Sequence, residues 1–296
     1  MNPALEASLR AAGLDAQEVA HLVGLAFDED LRYGPDVTTE ATIRADQFAE
    51  ADVAAREAGV VCGVDVARVV LDAAGFAIDG VTVHVRDGER VVPGSVVLTA
   101  AGVLGPLLVA ERTLLNFLTH LSGVATATNT WVRAIEGTGC RVRDTRKTLP
   151  GLRQLEKYAV RCGGGVNHRM GLGDAALIKD NHVAASGSIT RAIEAVRRAR
   201  PDIALEAECD RLDQVSEALE AGCTLILLDN MSVGDIEKAV KLASTSDALL
   251  EASGGITLEN VRAIAETGVD YVAVGALTHS VRALDLGLDI REGDLT

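Results

Sequence analysis

The chain has 296 residues, of which 48% are hydrophobic and 3% aromatic, and its formal net charge is −15. This length allows one large α/β domain, or a barrel with a smaller partner domain, and the charge argues against nucleic acid or an anionic membrane as a partner. No apolar run approaches the roughly 20 residues of a membrane span, the N-terminus lacks a signal-peptide pattern, and the five cysteines show no CxxC spacing. We therefore expect a reduced, cytoplasmic protein.

The N-terminal part alternates between helical and extended patterns. The elements predicted in chain order are an amphipathic helix in residues 1–23, a strand pair in 51–64, a helix in 64–75, and short strands around the Asp87-Gly88 turn in 81–102. A long apolar helix is predicted over 107–128. We expect an α+β sandwich domain over residues 1–118, with the C-terminal tail, 281–296, packed back on it.

The second half repeats a strand followed by a helix. Predicted strands end near Thr145, Lys179, Glu208, Asp229, Ser253 and Gly275, and the last four ends are 21, 24 and 22 residues apart (229 − 208, 253 − 229, 275 − 253). This spacing indicates βαβ units of a parallel sheet. Six strands without a GxGxxG turn favour an incomplete α/β barrel over 119–280, while a doubly wound sheet stays open.

The strand ends carry charged or glycine-rich residues, and in parallel α/β folds ligands bind at the carboxyl ends of the strands. Between residues 141 and 179 there are nine Lys/Arg and three Asp/Glu, a local excess of +6. We interpret Arg153, Lys157 and Arg161 as an exposed helix face. The other cations suit a small ligand with several negative charges: Arg146, Lys147, His168, Arg169 and Lys179.

Lys179 ends the apolar run AALI, where a buried lysine is costly unless it meets an anion. Glu208 and Asp229 end successive strands, and two carboxylates at adjacent strand ends suit Mg²⁺. A salt bridge from these carboxylates to Lys179 is an equally open interpretation.

Two glycine turns follow the last two strands, Ser253-Gly254-Gly255 and Val274-Gly275-Ala276. Paired turns of this kind bind phosphate through backbone N–H groups. A magnesium-bound sugar phosphate that meets a dicarboxylate fits all of these strand ends.

Several segments resemble those of quinolinate phosphoribosyltransferases: ERTLLNFLTHLSGVAT (111–126), DTRKTLPGLRQLEKYAVRCGGGVNHRMGLGDAALIKDNH (144–182), EAECD (206–210), LLDNM (227–231), EASGGI (251–256) and VGALTHS (274–280). REAGVVCG (56–63) and DVTTEATI (36–43) resemble the family's N-terminal domain. The resemblance covers nearly the whole chain. It implies an α/β sandwich followed by an incomplete barrel, and a homodimer with shared active sites, alone or within a larger assembly.

The resemblance also implies roles for individual residues. Arg112 would reach the site of the partner subunit, and Thr145, Arg146, Lys147, His168, Arg169 and Lys179 would bind quinolinate. Glu208 and Asp229 would hold Mg²⁺, ribose and pyrophosphate, and Ser253, Gly254, Gly255, Val274, Gly275 and Ala276 the 5′-phosphate of phosphoribosyl pyrophosphate. Lys147, Lys179, Glu208 and Asp229 would be catalytic. The product would be nicotinate mononucleotide, with loss of CO₂.

Three other functions stay open from the sequence. Lys179 at a strand end also fits a Schiff-base aldolase. A non-catalytic sensor of a phosphorylated dicarboxylate would need the same cations. A related phosphoribosyltransferase could act on another heteroaromatic acid.

Overall fold

The computed structural model describes residues 1–291, and the chain folds into two compact units. Unit 1 comprises Met1–Ala127, Leu149–Gly164 and the residues from Ser280 onward, and unit 2 comprises Thr128–Thr148 and Gly165–His279. The domain boundary suggested by the sequence, between residues 118 and 119, stays a prediction. In the described residues no helix is both long and apolar enough to cross a membrane.

Unit 1 combines helices with two antiparallel sheets. Its helices are α1 (Pro3–Ala11), α2 (Ala16–Asp30), α3 (Val37–Thr42), α4 (Val64–Ala73), α5 (Leu104–Ala134, which continues into unit 2) and α6 (Arg153–Cys162), with a 3₁₀ turn at Ile78–Gly80. Its strands are β1 (Phe48–Ala55), β2 (Gly59–Val60), β3 (Val81–Val83), β4 (Arg90–Val91), β5 (Val96–Val103) and β12 (Leu286–Ile290).

The larger sheet of unit 1 has the strand order β12-β1-β5-β3, and β2 pairs with β4. Every second residue of β1 is buried, which is the two-residue period of a strand with one face on the core. β12, from the C-terminal tail, pairs antiparallel with β1 from Ala51↔Ile290 to Ala55↔Leu286. The tail's remaining predicted residues, 292–296, lie outside the described residues.

The single helix predicted over residues 1–23 is wrong, because the chain breaks it after Ala11. Gly13 has a φ of +74°, a left-handed conformation that glycine adopts without strain. Asp15 then begins α2 as its N-cap, since its side chain accepts hydrogen bonds from the backbone N–H groups of Gln17 and Glu18.

α5 extends further in both directions than predicted. One face of the helix is buried at Leu107, Leu114, Leu118 and Leu121, while Arg112 is exposed. The spacing of the leucines is that of an amphipathic helix packed on a core.

Unit 2 contains the strand–helix repeats. Its strands are β6 (Arg141–Arg143), β7 (Ala175–Ile178), β8 (Ala204–Cys209), β9 (Leu225–Asp229), β10 (Leu249–Ser253) and β11 (Tyr271–Ala273). Its helices are α7 (Asp180–Ser186), α8 (Ile189–Ala199), α9 (Leu212–Glu220), α10 (Val233–Ala243), α11 (Val261–Ala265) and α12 (Ala276–His279). The strands end within two residues of the predicted ends.

The six strands form one parallel sheet in the order β6-β11-β10-β9-β8-β7. This order is cyclic, because β7 to β11 follow one another and β6 lies beside β11. A doubly wound sheet reverses its strand order at a switch point, so that alternative is wrong. Among the described residues no ladder joins β6 to β7, and the barrel is incomplete, as the sequence predicted.

The interpretation of α6 as carrying an exposed basic face is wrong for one of its three cations. Arg161 is exposed and Arg153 half-buried, but Lys157 is fully buried. Nothing in the sequence separates Lys157 from the other two cations, because all three lie at helical spacing.

Candidate active site

A cavity of about 360 Å³ lies at the carboxyl ends of the parallel strands of unit 2. Its polar lining comprises Thr145, Arg146, Lys147, His168, Arg169, Lys179, Glu208, Asp229, Glu251 and Ser253. All of these residues except Glu251 were predicted from the sequence as site residues. The structure thus brings together side chains that are up to 108 residues apart in the chain (253 − 145).

Arg146 and Arg169 bring two positive charges close together in this cavity. The Nε atoms of both side chains are buried, and neither has a hydrogen-bond partner among the described residues. Burial lowers the pKa of Arg169, and the positive charge of Arg146 is the second-largest cause of this shift. A buried N–H group without an acceptor costs free energy. An anion bound between the two guanidinium groups would relieve both costs.

His168 is almost fully buried, with both ring nitrogens engaged. Its Nδ1 accepts a hydrogen bond from the backbone N–H of Arg169 at 2.7 Å, and its Nε2 lies 2.9 Å from Glu206. Nδ1 as an acceptor assigns the ring proton to Nε2, which donates to Glu206. His168 therefore holds the backbone at Arg169 in place.

Beneath the cavity lies a buried charge network that the sequence reasoning missed. Arg143 forms an ion pair with Glu251, and Glu251 lies 3.9 Å from His168. Burial raises the pKa of Glu251 to about 7, and the negative charge of Glu206 is the second-largest cause of this shift. One signal was available: Glu206 and Glu251 precede Glu208 and Ser253 by two residues, and alternate residues of a strand face the same side.

Lys179 and Glu208 contact each other across neighbouring strands. The Lys179 Nζ lies 2.5 Å from the Glu208 carboxylate. This is the salt bridge that the sequence left open as one interpretation. The argument that Lys179 would be buried is wrong, because 46% of its side chain is exposed.

Asp229 ends β9 beside the glycine turn that follows β10. Its carboxylate accepts a hydrogen bond from Asn230 at 2.7 Å, and among residues 1–291 it has no ion-pair partner. Asn230 has a left-handed φ of +54°, and its N–H donates to the carbonyl of Ser253. Gly254 has a φ of +85°, and a Cβ there would lie 2.2 Å from Asn230 Oδ1. Only glycine fits this contact between the two turns.

The second glycine turn lies against the predicted substrate lysine. A Cβ at Gly275 would lie 2.8 Å from Cδ of Lys147, and the Thr278 hydroxyl donates to the Lys147 carbonyl. Val274 donates its N–H to the carbonyl of Arg143, and Ala276 begins α12. Among the predicted residues, Gly254, Gly255, Val274, Gly275 and Ala276 are not part of the cavity lining. Arg112 belongs to unit 1.

Two groups of side chains offer donor atoms for a cation. Glu208 and Asp229 supply carboxylate oxygens, which suit Mg²⁺, and Asp229 is available because its charge is unpaired in the described part of the chain. The ligand atoms of His168, Glu206 and Glu251 lie within 4.8 Å of one another. Arg143 and the His168 N–H already compensate this second set. The first set therefore fits a hard cation better.

Comparison with known proteins relates both units to one family. The family "Quinolinate phosphoribosyl transferase, N-terminal domain" matches residues 36–122, and "Quinolinate phosphoribosyl transferase, C-terminal domain" matches residues 124–289. Together these matches span far more than half of the chain.

Curated relatives and solved structures agree with this match. The chain is 54% identical over 269 residues to the nicotinate-nucleotide pyrophosphorylase (carboxylating) of Mycobacterium leprae, covering 90% of this chain and 94% of the relative. It is 38% identical to quinolinate phosphoribosyltransferase (decarboxylating) 1b of Nicotiana tabacum, covering 91% and 81%. The structure of the nicotinate-nucleotide pyrophosphorylase from Francisella tularensis matches with a TM-score of 0.86 at 38% identity, covering 93% and 96%.

Proposed function

This chain belongs to the quinolinate phosphoribosyl transferase family, and from that membership we propose that it transfers the 5-phosphoribosyl group from phosphoribosyl pyrophosphate to quinolinate. The reaction gives nicotinate mononucleotide, pyrophosphate and CO₂, in the biosynthesis of NAD. The observation that supports it best is the cavity of unit 2, which is lined by cations on one set of strand ends and by two carboxylates on another.

Quinolinate is a planar dicarboxylate, and we assign it to the cationic part of the cavity. Arg146 and Arg169 each present a buried Nε without an acceptor among the described residues, and guanidinium groups bind carboxylates in a fixed planar geometry. Lys147 and Lys179 add positive charge, and Thr145 adds a hydroxyl at the cavity wall. His168 serves as a positioning residue, because its ring holds the backbone of Arg169.

Phosphoribosyl pyrophosphate is assigned to the opposite set of strand ends. Glu208 and Asp229 would bind the Mg²⁺ that accompanies its pyrophosphate, directly or through the bound substrate. The turns at 253–255 and 274–276 would bind the 5′-phosphate through backbone N–H groups. The contact between Gly254 and Asn230 supports this assignment, since it requires a backbone turn without a Cβ.

The residues act by orientation and by charge compensation. Arg146 and Arg169 hold the carboxylates so that the pyridine nitrogen faces C1 of the ribose. Glu208 and Asp229 stabilise the positive charge that develops at C1 as pyrophosphate leaves. Bound Mg²⁺ would neutralise charge on the leaving pyrophosphate. The ring nitrogen becomes cationic and accepts the electrons released when the adjacent carboxylate leaves as CO₂, so no side chain has to act as a covalent nucleophile.

The ion pair between Lys179 and Glu208 argues against the Schiff-base alternative. A Schiff base requires a lysine Nζ that can attack a carbonyl carbon, and the Lys179 Nζ is already engaged by a carboxylate 2.5 Å away. Borohydride trapping of a substrate on Lys179 would instead favour an aldolase.

We further propose a homodimer in which Arg112 completes the site of the partner subunit, and a cytoplasmic location. Arg112 is exposed on α5 and has no ion-pair partner among residues 1–291. An unpaired exposed arginine is free to bind a substrate carboxylate presented by another chain.

The proposed reaction is tested by mixing the protein with Mg²⁺, quinolinate and phosphoribosyl pyrophosphate, and measuring nicotinate mononucleotide by chromatography. We expect the product to form only when all components are present. Saturable binding of both substrates without release of pyrophosphate would instead identify a sensor. Turnover of another heteroaromatic acid, with none of quinolinate, would identify a related transferase.

A further inference from the structure

Unit 1 contains a cluster of two cysteines and an aspartate that the proposed reaction does not use. The sulfur atoms of Cys62 and Cys162 and a carboxylate oxygen of Asp87 lie within 4.8 Å of one another. Cys62 lies between β2 and α4, and Cys162 is the last residue of α6. The two sulfurs are this close although 100 residues separate the cysteines in the chain (162 − 62).

The surroundings of Asp87 distinguish a thiol pair from a metal site. Asp87 Oδ1 accepts hydrogen bonds from the backbone N–H groups of Gly63 at 2.9 Å and Val64 at 3.0 Å, and so caps α4. Its Oδ2 accepts a hydrogen bond of 2.7 Å from the Tyr158 hydroxyl. A carboxylate engaged on both oxygens is a poor additional metal ligand, which leaves two sulfurs where a structural zinc site needs four ligands.

We propose that Cys62 and Cys162 are a redox-active pair, which hydrogen peroxide converts into an intramolecular disulfide. The Cys162 thiolate attacks the peroxide, the O–O bond breaks, and Cys162 becomes a sulfenic acid as hydroxide leaves. The Cys62 thiol then attacks this sulfur, the S–S bond forms, and the sulfenic oxygen leaves as water. The two thiols lose two electrons, and these reduce the peroxide.

The environments of the two sulfurs assign these separate roles. The hydrogen bond from Cys62 lowers the pKa of Cys162, whereas burial raises the pKa of Cys62 well above that of an ordinary thiol. Cys62 is fully buried and Cys162 is only half-buried. Because the thiolate is the nucleophile and must meet the oxidant, Cys162 reacts first.

The backbone beside each cysteine can adjust as the sulfurs approach bonding distance, about 2.05 Å. Gly63 follows Cys62 with a φ of +103°, and Gly163, Gly164 and Gly165 follow Cys162. Glycine has the widest range of backbone conformations, so small rotations cost little.

The test uses the whole reduced protein. After treatment with a small excess of hydrogen peroxide, we expect a mass decrease of about 2 Da and a peptide that joins Cys62 to Cys162, both reversed by dithiothreitol. In Cys62→Ser we expect a dimedone adduct on Cys162 instead. Cys140→Ser and Cys209→Ser are matched controls, because burial raises the pKa of both thiols to about 12, and both should still form the disulfide.

A complementary rate measurement needs no variant. Under mild alkylation of the reduced protein at neutral pH, we expect Cys162 to be modified at least about tenfold faster than Cys140 or Cys209. Absence of the joined peptide, or a disulfide that involves another cysteine, would overturn the proposal. Zinc that co-purifies at one ion per chain and protects both thiols would also overturn it, and would identify a metal site.

Discussion

The Lys179 ammonium and the Glu208 carboxylate form an ion pair at the carboxyl ends of β7 and β8. In the proposed reaction these two groups serve different substrates, Lys179 the quinolinate and Glu208 the phosphoribosyl pyrophosphate. Each substrate must therefore compete with a contact that exists before binding. The pair is partly exposed, and pairs of that kind contribute about 0–1 kcal/mol.

From this pair we expect Glu208→Gln to tighten the binding of quinolinate alone, by up to about fivefold, because Lys179 no longer has an internal partner. The same variant should lose most of its turnover, since a carboxylate that stabilises charge at C1 is gone. Titration calorimetry and a turnover assay test both effects. Asp235→Asn, which breaks the surface pair with Lys238 on α10, should change neither. Weaker quinolinate binding in Glu208→Gln would contradict the competition.

Lys147→Ala and Lys179→Ala should each weaken the binding of quinolinate by roughly tenfold or more, and that of phosphoribosyl pyrophosphate much less. The reason is that the proposed dicarboxylate site is lined by several cations, and their combined positive charge exceeds what a single phosphate requires. Titration calorimetry with each ligand measures the difference, with Lys238→Ala as the control. Unchanged affinity for quinolinate in both variants would rule out the assignment of this pocket.

Nicotinate, which lacks the 2-carboxylate, should be a poor substrate, with kcat/KM lower by several orders of magnitude. Nicotinate keeps the 3-carboxylate but offers one carboxylate fewer to the buried Nε groups of Arg146 and Arg169, and polar groups left unpaired in this way discriminate strongly between substrates. Side-by-side assays with both acids decide the matter. Comparable turnover would contradict the role of the two arginines.

The raised pKa of Glu251, about 7, predicts a pH-dependent stability. Between the ordinary pKa of 4.5 and about 7, the folded state holds a proton that the unfolded state releases. The contribution of this proton to the free energy of unfolding is complete below pH 4.5 and is lost as the pH rises through 7. The groups that face Glu251 are Glu206, Arg143 and His168.

The variant Glu251→Gln cannot ionise and isolates this effect. Between pH 5 and pH 8 the wild type should lose about 2.5 kcal/mol of unfolding free energy relative to Glu251→Gln. Urea denaturation at several pH values measures the difference. Glu237→Gln, at an exposed position of α10, should run parallel to the wild type. A difference between wild type and Glu251→Gln that does not change with pH would contradict the prediction.

Arg112→Ala and Lys147→Ala should each be inactive, and activity should return when the two variants are mixed and exchange subunits. If Arg112 acts across a dimer, a mixed dimer has one site with both lesions and one intact site. Random pairing makes half of the dimers mixed, so activity should reach about a quarter of the wild-type value. No recovery, with exchange demonstrated by mass spectrometry of labelled subunits, would place Arg112 outside the partner's site.

The parallel sheet could be predicted from the sequence because each strand is a short apolar run that ends at a charged or glycine-rich turn. That pattern predicts that Lys179, Glu208 and Asp229 lie at neighbouring strand ends. The pattern does not identify the partner of a given charge, so a Lys179–Glu208 salt bridge and a metal site are equally compatible with the sequence. The break between α1 and α2 was missed, because the polar residues near Gly13 also fit one continuous amphipathic helix.

The burial of charged residues is the second feature that could not be predicted from the sequence. Lys157 and Glu251 are fully buried, whereas charged residues are usually exposed. The burial of Glu251 depends on a partner from a distant segment, Arg143, which is 108 residues away (251 − 143). Periodicity within one segment carries no information about such partners.

The most direct test of the proposed function is the stoichiometry of the products. Quinolinate labelled in the 2-carboxylate should be incubated with the protein, Mg²⁺ and phosphoribosyl pyrophosphate, while labelled CO₂, pyrophosphate and nicotinate mononucleotide are measured together. We predict that the three products appear in a ratio of about one to one to one. Release of pyrophosphate without labelled CO₂, or no release of either, would contradict the proposed reaction.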